Sequence, residues 1–260
     1  MAVTETPPSA SLPSPDEQPR HAPGDKEMTL LEHLEELRNR LVKSVLAVVI
    51  GIVVALVPLP GVGSITENVI KLLAQKAPGG NLLALGPGEA FFTFLQVAMI
   101  IGIALAMPVI IWQVLAFVSP ALYENEKKYL YIAVPGVTAS FAIGVFFCYV
   151  LMLPFAIAFL GNFQTDIFDQ RWAAERYLDF VTTFMFWVGI TFELPIVMYF
   201  LSKLGVVSAQ RMARFRKYAF VLAFVIGAVI TPTPDPINQT IVSMPIYLLF
   251  ELGVILARFA

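Results

Sequence analysis

Residues 90–117 read AFFTFLQVAMIIGIALAMPVIIWQVLAF, a run of 28 residues without a charged side chain. A transmembrane helix needs about 20 mostly apolar residues, so this run is long enough to cross a bilayer. The rest of the 260-residue chain is similar: 58% of its residues are hydrophobic, 14% are charged, and the mean hydropathy is +0.76. A soluble domain carries nearly twice that share of charge. The composition therefore indicates a protein that crosses the membrane several times, and it excludes most soluble enzymes.

Six apolar segments approach the length of a membrane span. We place them at 41–59, 90–117, 129–153, 177–202, 218–231 and 239–256. The fifth segment is short, and the proline-rich link after it cannot lie in open lipid, because its backbone groups would lack partners. Prolines occur within or beside most spans, at Pro108, Pro135, Pro154, Pro195 and Pro245. Proline kinks helices, so we predict an all-α polytopic membrane protein of six kinked helices, the last two short, with a concave face.

The distribution of charge predicts the orientation in the membrane. Residues 1–27 combine six prolines with polar residues, which predicts a disordered tail, and residues 28–260 form the transmembrane domain. Thirteen of the 17 lysines and arginines lie in the tail and loops on one side of the predicted spans, and four lie on the other. The positive-inside rule then places both termini in the cytoplasm.

The sequence lacks the residues that several functional classes require. The net charge of −2 gives no basic field for nucleic acid, and the single cysteine, Cys148, can form neither an intrachain disulfide nor a cysteine metal site. Both histidines precede the first span, so no serine within a span has a histidine base. No phosphate-binding GxxxxGK[ST] loop is present. We expect neither an enzyme nor a cofactor, and any transport must be driven by a gradient or by a partner.

Acidic residues on the cytoplasmic side allow two interpretations. Glu36 lies on the polar face of an amphipathic segment before the first span, in the favourable order for pairing with Arg40. By itself this segment favours an interfacial helix with a solvated face, and the alternative is a carboxylate patch for a cationic partner. After Pro120, which is suited to the first turn of a new helix, Glu126 lies on the same side. Two acidic sites there could bind two guanidinium groups, or Glu124 and Glu126 could simply pair with Lys127 and Lys128.

Two further polar groups lie in the membrane segments. Glu193, in the sequence Phe192–Glu193–Leu194–Pro195, lies near the middle of the fourth span. Such an acid is either a proton site, a polar lining, or a protonated carboxyl bonded to a neighbouring helix. The segment 231–239 fits ordinary turn chemistry, but its polar groups could also bind a partner helix.

Four motifs, taken together and in order, resemble the TatC family, the multispanning component of the twin-arginine protein translocase. The motifs are His33-Leu34-x-Glu36-Leu37-Arg38-x-Arg40, Phe117-Val118-x-Pro120-x-Leu122-Tyr123-x-x-Glu126-Lys127, Phe192-Glu193-Leu194-Pro195, and Thr231-Pro232 with Pro234-Asp235 and Gln239. The resemblance covers about residues 28–258. It implies six spans in a curved, cupped wall in the inner membrane of a prokaryote. It also implies binding of twin-arginine signal peptides of folded proteins, with transport driven by the protonmotive force.

The resemblance also implies roles for particular residues. Those implied for the signal peptide are His33, Glu36, Arg38, Pro120, Glu126 and Lys127. Glu193 matches the buried polar residue on the concave side. Thr231, Asp235 and Gln239 match a patch for single-span TatA- or TatB-type partners in a multimeric complex. Lys127 replaces the arginine of many relatives, and the Thr-Pro-Thr-Pro-Asp stretch is one residue longer than the common form.

Two other classes remain as alternatives. The first is a secondary transporter of a small cation or metabolite with Glu193 as its proton coupler, which the residues favour when the resemblance is set aside. The second is an intramembrane enzyme, which the missing catalytic sets disfavour.

Overall fold

The computed structural model describes residues 30–78, 82–118, 124–162, 171–230 and 236–260. Within them the chain forms ten α-helices and a π-helical turn, Cys148–Met152. The helices are α1 (Leu30–Leu56), α2 (Ile65–Ala74), α3 (Glu89–Val118), α4 (Glu124–Phe147), α5 (Leu153–Asn162), α6 (Ala174–Thr191), α7 (Leu194–Lys203), α8 (Ala209–Arg214), α9 (Arg216–Ile230) and α10 (Pro236–Leu256). The predicted all-α polytopic fold is confirmed. The predicted tail, 1–27, lies outside the described residues.

Among the described residues, five helical stretches are long and apolar enough to cross a membrane. They are Leu31–Leu56, Glu89–Phe117, Ala133–Asn162, Ala174–Lys203 and Gln239–Leu256. The fifth predicted span corresponds to α9, which has 15 residues, or roughly 22 Å of helix, and is shorter than a typical bilayer core. Six spans therefore remain a prediction, while the shortness of α9 matches the expectation.

The first span differs from its expected form. We expected an interfacial helix followed by a separate span at 41–59, and the structure has one continuous 27-residue helix, α1. The polar turns before Leu41 consist largely of leucine, glutamate and arginine, which are good helix formers, so nothing interrupts the helix there. The helix ends at Leu56, two residues before Pro58, because a residue preceding proline is pushed out of the helical region.

Proline shapes the third and fourth spans. The π-helical turn ends two residues before Pro154, and the third span continues through it to Asn162, nine residues beyond the predicted end. A proline ring collides with the carbonyl four residues earlier, and a π-turn is one way to relieve that clash. In the fourth span, Phe192 and Glu193 separate α6 from α7 ahead of Pro195, and Ser140 Oγ of α4 donates to the Phe192 carbonyl over 2.6 Å.

At the ends of the spans opposite the basic loops, α2 and the backbone pairing of Leu83 with Ala173 form a compact cap. The Ser64 hydroxyl accepts a hydrogen bond from the Glu67 amide and begins α2. The buried Tyr177 hydroxyl of α6 donates to the Leu73 carbonyl at 2.8 Å, which fixes α2 against the bundle. Leu83 pairs with the backbone on either side of Ala173. Neither α2 nor this pairing was predicted from the sequence, since both lie between apolar runs.

The spans pack in an open row. α1 lies mainly against α3, α3 against α4 and α6, and α10 against α7 and α9, so α1 and the α9–α10 hairpin occupy opposite ends. This arrangement agrees with the predicted wall of helices. A close crossing joins α1 to α3 at Gly51 and Gly102, where an added Cβ on either glycine would overlap the partner's backbone. Small residues permit such close approach in membranes, where helices gain little from the hydrophobic effect.

Candidate functional site

The first predicted site lies where the polar end of α1 meets the end of α3. His33 of α1 stacks on Phe117 of α3, with ring centroids 4.3 Å apart and planes 22° from parallel. Two turns further along α1, the Arg40 guanidinium donates to Glu36 Oε1, with Nε 2.9 Å from the oxygen. Its Nη1 lies 3.5 Å from Gln113 Oε1 on α3. The two helices are thus joined by a ring contact and by a polar cluster at one end of the molecule.

The Glu36 carboxylate is only partly satisfied in this cluster. Its side chain is 18% exposed and that of Arg40 is 22% exposed, so the pair lies half-buried. Both guanidinium nitrogens that contact Glu36 bind Oε1, whereas Oε2 is buried and has no hydrogen-bond partner among the described residues. A carboxylate offers about four lone-pair positions, so Glu36 retains acceptor capacity.

The described structure places only some of the other predicted signal-peptide residues. Arg38 is exposed and pairs at 3.2 Å with Glu35 on α1. Glu126 and Lys127 are the third and fourth residues of α4, and their side chains lie outside the described part of the structure, as does Pro120. A joint site formed by Glu36 and Glu126 therefore remains a prediction.

Glu193 lies at the junction between α6 and α7. Its backbone N–H donates to the Ile190 carbonyl and its carbonyl accepts from Val197, so the chain stays hydrogen-bonded through the break. Glu193 Oε1, in contrast, is buried without a hydrogen-bond partner among the described residues. An unsatisfied polar atom of this kind costs about 1–3 kcal/mol, so the fold gains no stability from it.

The predicted partner patch is only partly visible. Gln239 of α10 donates through Nε2 to the Phe224 carbonyl of α9 over 3.0 Å, which ties the two short helices together. Thr231 and Asp235 lie outside the described residues. One turn beyond Gln239, Ser243 is fully buried and its hydroxyl has no partner in the described structure.

Sequence reasoning missed a second charged cluster. Glu251 of α10 pairs with Arg216 at the start of α9, 2.8 Å away, and accepts a 2.7 Å hydrogen bond from Tyr247. The spacing of Tyr247 and Glu251, one helical turn apart, was the available signal. Gln113 was also missed, although it is a polar residue near the end of an apolar helix. Over the described residues, no three histidine, cysteine, aspartate or glutamate side chains are grouped to hold a metal ion.

The sequence and the fold match known proteins over about nine-tenths of the chain. The family model of the Sec-independent protein translocase protein TatC matches residues 32–245. The TatC protein of Carboxydothermus hydrogenoformans is 36% identical over 237 residues, covering 90% of this chain and 95% of the relative. The chloroplast TATC protein of Pisum sativum is 35% identical over 240 residues, covering 92% of this chain and 66% of the relative.

Solved structures indicate the same family as the sequence comparisons. A crystal structure of the twin-arginine translocase receptor TatC superposes with a TM-score of 0.75 at 35% sequence identity, covering 88% of this chain and 99% of that chain. A second structure of that receptor superposes with a TM-score of 0.76 at 34% identity. The chain therefore belongs to the TatC family of Sec-independent protein translocase proteins, the multispanning component of the twin-arginine translocase.

Proposed function

We propose that this protein is the receptor subunit that binds the paired arginines of signal peptides on folded precursor proteins. The observation that carries the proposal is the Glu36 carboxylate, which is half-buried, bonded to Arg40 through Oε1 and unpartnered at Oε2. A charge-assisted hydrogen bond to an ionised group is about twice as strong as a neutral one, so an incoming guanidinium is stabilised there. Because Oε2 is buried, binding requires a rotation of the Glu36 side chain that turns this oxygen toward the peptide.

Glu126 supplies the second carboxylate in this proposal. The chain leaves the membrane at the end of α3, where Phe117 stacks on His33, and re-enters it through α4. Glu126 in the first turn of α4 therefore lies on the same side of the membrane as Glu36. Arginine is preferred over lysine because its planar fork can bind a carboxylate through two parallel hydrogen bonds, whereas lysine offers a point charge.

The proposal also covers the assembly of the translocase and the driving force of transport. The chain lies in the cytoplasmic membrane of a prokaryote with both termini inside, as the excess of lysine and arginine on one side supports. Single-span TatA- and TatB-type proteins contact the α9–α10 hairpin around Thr231, Asp235 and Gln239, in a multimeric complex. The protonmotive force drives transport, with Glu193 as a polar point in the concave wall.

Peptide binding to the purified protein tests the receptor role. A signal peptide with Arg-Arg is compared with the same peptide carrying Lys-Lys, on wild type, Glu36→Gln and Glu126→Gln. We expect an Arg-Arg preference that falls at least about tenfold in each variant, since a hydrogen bond to a charged group contributes about 1.5–3 kcal/mol. Glu35→Gln is the matched control, because Glu35 lies one residue away, is 65% exposed and pairs with Arg38.

Two results would overturn the proposal. One is an equal loss of binding in Glu35→Gln and Glu36→Gln, which would show a general charge effect on α1. The other is the absence of an Arg-Arg preference both in the isolated protein and in the protein co-purified with a TatB-type partner. Uptake of a small solute by the protein alone in proteoliposomes would then favour the transporter.

A further inference from the structure

A half-open cavity of about 700 Å³ lies between the basic ends of α7, α8 and α10. It involves neither α1 nor α3, so it is separate from the proposed peptide site. Its lining combines small apolar residues with hydroxyl, amide and guanidinium groups. The function proposed above assigns no role to this cavity.

The base of the cavity is apolar. Ala209 and Ala213 of α8 and Ala257, just after α10, line it. The same three alanines pack in a hydrophobic cluster with Met198 and Val254, which are buried beneath them. The floor is therefore apolar, and its alanine side chains offer no hydrogen bonds to a fully polar ligand.

The rim of the cavity is polar and has free donors. Arg258 and Gln210 are exposed at its edge. The Ser208 hydroxyl accepts from the Arg211 backbone N–H at 3.4 Å, so its own proton remains available to a ligand. Ser202 differs, because its hydroxyl already donates to the Ala257 carbonyl over 2.9 Å.

The charge around the rim is strongly positive. Residues 203–217 contain five lysines and arginines and no acid. Arg216 is neutralised by Glu251, but Arg211, Arg214 and Arg258 are exposed and form no ion pair within the described part of the chain. Arg258 lines the cavity itself, and Arg211 and Arg214 lie on the same short helix as its lining residues Ala209 and Ala213, so the positive charge around the rim favours an anion.

We propose that this cavity binds the phosphodiester headgroup of an anionic phospholipid from the adjoining leaflet. The polar rim suits the phosphate, and the alanine base suits the glycerol and first methylenes of the lipid. Basic pockets between membrane helices on the positive side bind such headgroups in general. Exposed Phe215, Tyr218 and Phe259 lie near the cavity in the sequence, and aromatic side chains favour the depth of the lipid headgroups. The apolar base favours a lipid over a soluble phosphate, which would need polar partners on all sides.

Lipid retention by the full-length protein tests this site. The protein is reconstituted in nanodiscs of phosphatidylcholine containing a fraction of phosphatidylglycerol, released into detergent, and analysed for bound lipid by native mass spectrometry. We expect phosphatidylglycerol to be retained preferentially, and Arg258→Gln to reduce that preference about fivefold, the usual contribution of one cation near an anionic surface. Gln210→Glu, which places a carboxylate on the rim, should reduce it as well.

Controls separate a defined site from general surface charge. Lys217→Gln removes one charge from the first turn of α9, outside the cavity lining, and should leave the preference unchanged. An equal loss in Lys217→Gln and Arg258→Gln would overturn the proposal, as would equal retention of the two lipids by wild type. Displacement of the lipid by millimolar glycerol phosphate would indicate a site for soluble anions instead and would also overturn it. Arg258→Gln should leave twin-arginine peptide binding intact, so failure of one proposal is distinguishable from failure of the other.

Discussion

Glu193 is a polar residue within the membrane, and its buried carboxyl lowers the stability of the fold. Its Oε1 is buried without a partner among the described residues, at a proline-induced break in the fourth span. A carboxyl at mid-membrane is costly as well, by about 2.5–3.5 kcal/mol on scales of helix insertion. A residue that weakens the fold is retained for another reason, and a polar lining for the path of a signal peptide is one that fits the proposed function.

We therefore predict that Glu193→Leu stabilises the protein and impairs transport. Removing an unsatisfied buried oxygen should raise the free energy of unfolding by about 1–3 kcal/mol, measured by thermal unfolding in detergent. Glu193→Gln is the control, since it keeps the size and polarity of the side chain and removes its acidity. Transport retained by Gln would assign Glu193 a lining role, and transport lost in Gln would assign it a proton role. Destabilisation by leucine would contradict the argument.

At the scale of elements, the crossing of α1 and α3 determines the geometry of the proposed peptide site. An added Cβ on Gly102 would lie 2.6 Å from the Ile52 nitrogen and 2.8 Å from its Cα, distances at which the backbones must separate. The contacts beyond this crossing, His33 with Phe117 and Arg40 with Gln113, join the same two helices. A change in the middle of the helices is thus transmitted to the site.

Gly102→Ala should consequently weaken twin-arginine peptide binding although the residue does not touch the site. We expect a loss of about 1–3 kcal/mol in unfolding free energy, typical of overpacking, together with weaker peptide binding in the same preparation. The control is Gly136→Ala, whose added Cβ would meet only Ile196 Cδ1, at 3.9 Å, and should change neither quantity. Equal behaviour of the two variants would show that the crossing does not determine the site.

At the scale of the whole molecule, the features predicted correctly from the sequence are those set by averages over many residues. Runs of apolar residues located the spans because each must cover the bilayer core, and the α9 segment was recognised as short from its length alone. The continuity of α1, the π-helical turn before Pro154 and the pairing of Arg216 with Glu251 were not predicted. Each of these depends on how a helix terminates or on which residues meet across the bundle, and local sequence contains little information about either.

The orientation of the whole chain can be tested by labelling introduced cysteines, because the native cysteine should not react. Cys148, the single cysteine of the sequence, is fully buried, so a polar maleimide should not label it. Asn39 lies on the exposed surface of α1 among the basic residues, and Gln75 is exposed at the end of α2 in the opposite cap. In intact cells we expect a membrane-impermeant maleimide to label Gln75→Cys at once and Asn39→Cys only after permeabilisation.

The unmodified protein gives the background labelling. Cys148→Ala should leave that background unchanged. Labelling of Asn39→Cys in intact cells would place the basic side outside. The Glu36 cluster and the proposed lipid cavity would then face away from the cytoplasm, where folded precursors are made. Because both sites depend on the same thirteen-to-four distribution of lysine and arginine, this one orientation measurement bears on the receptor and the lipid proposals together.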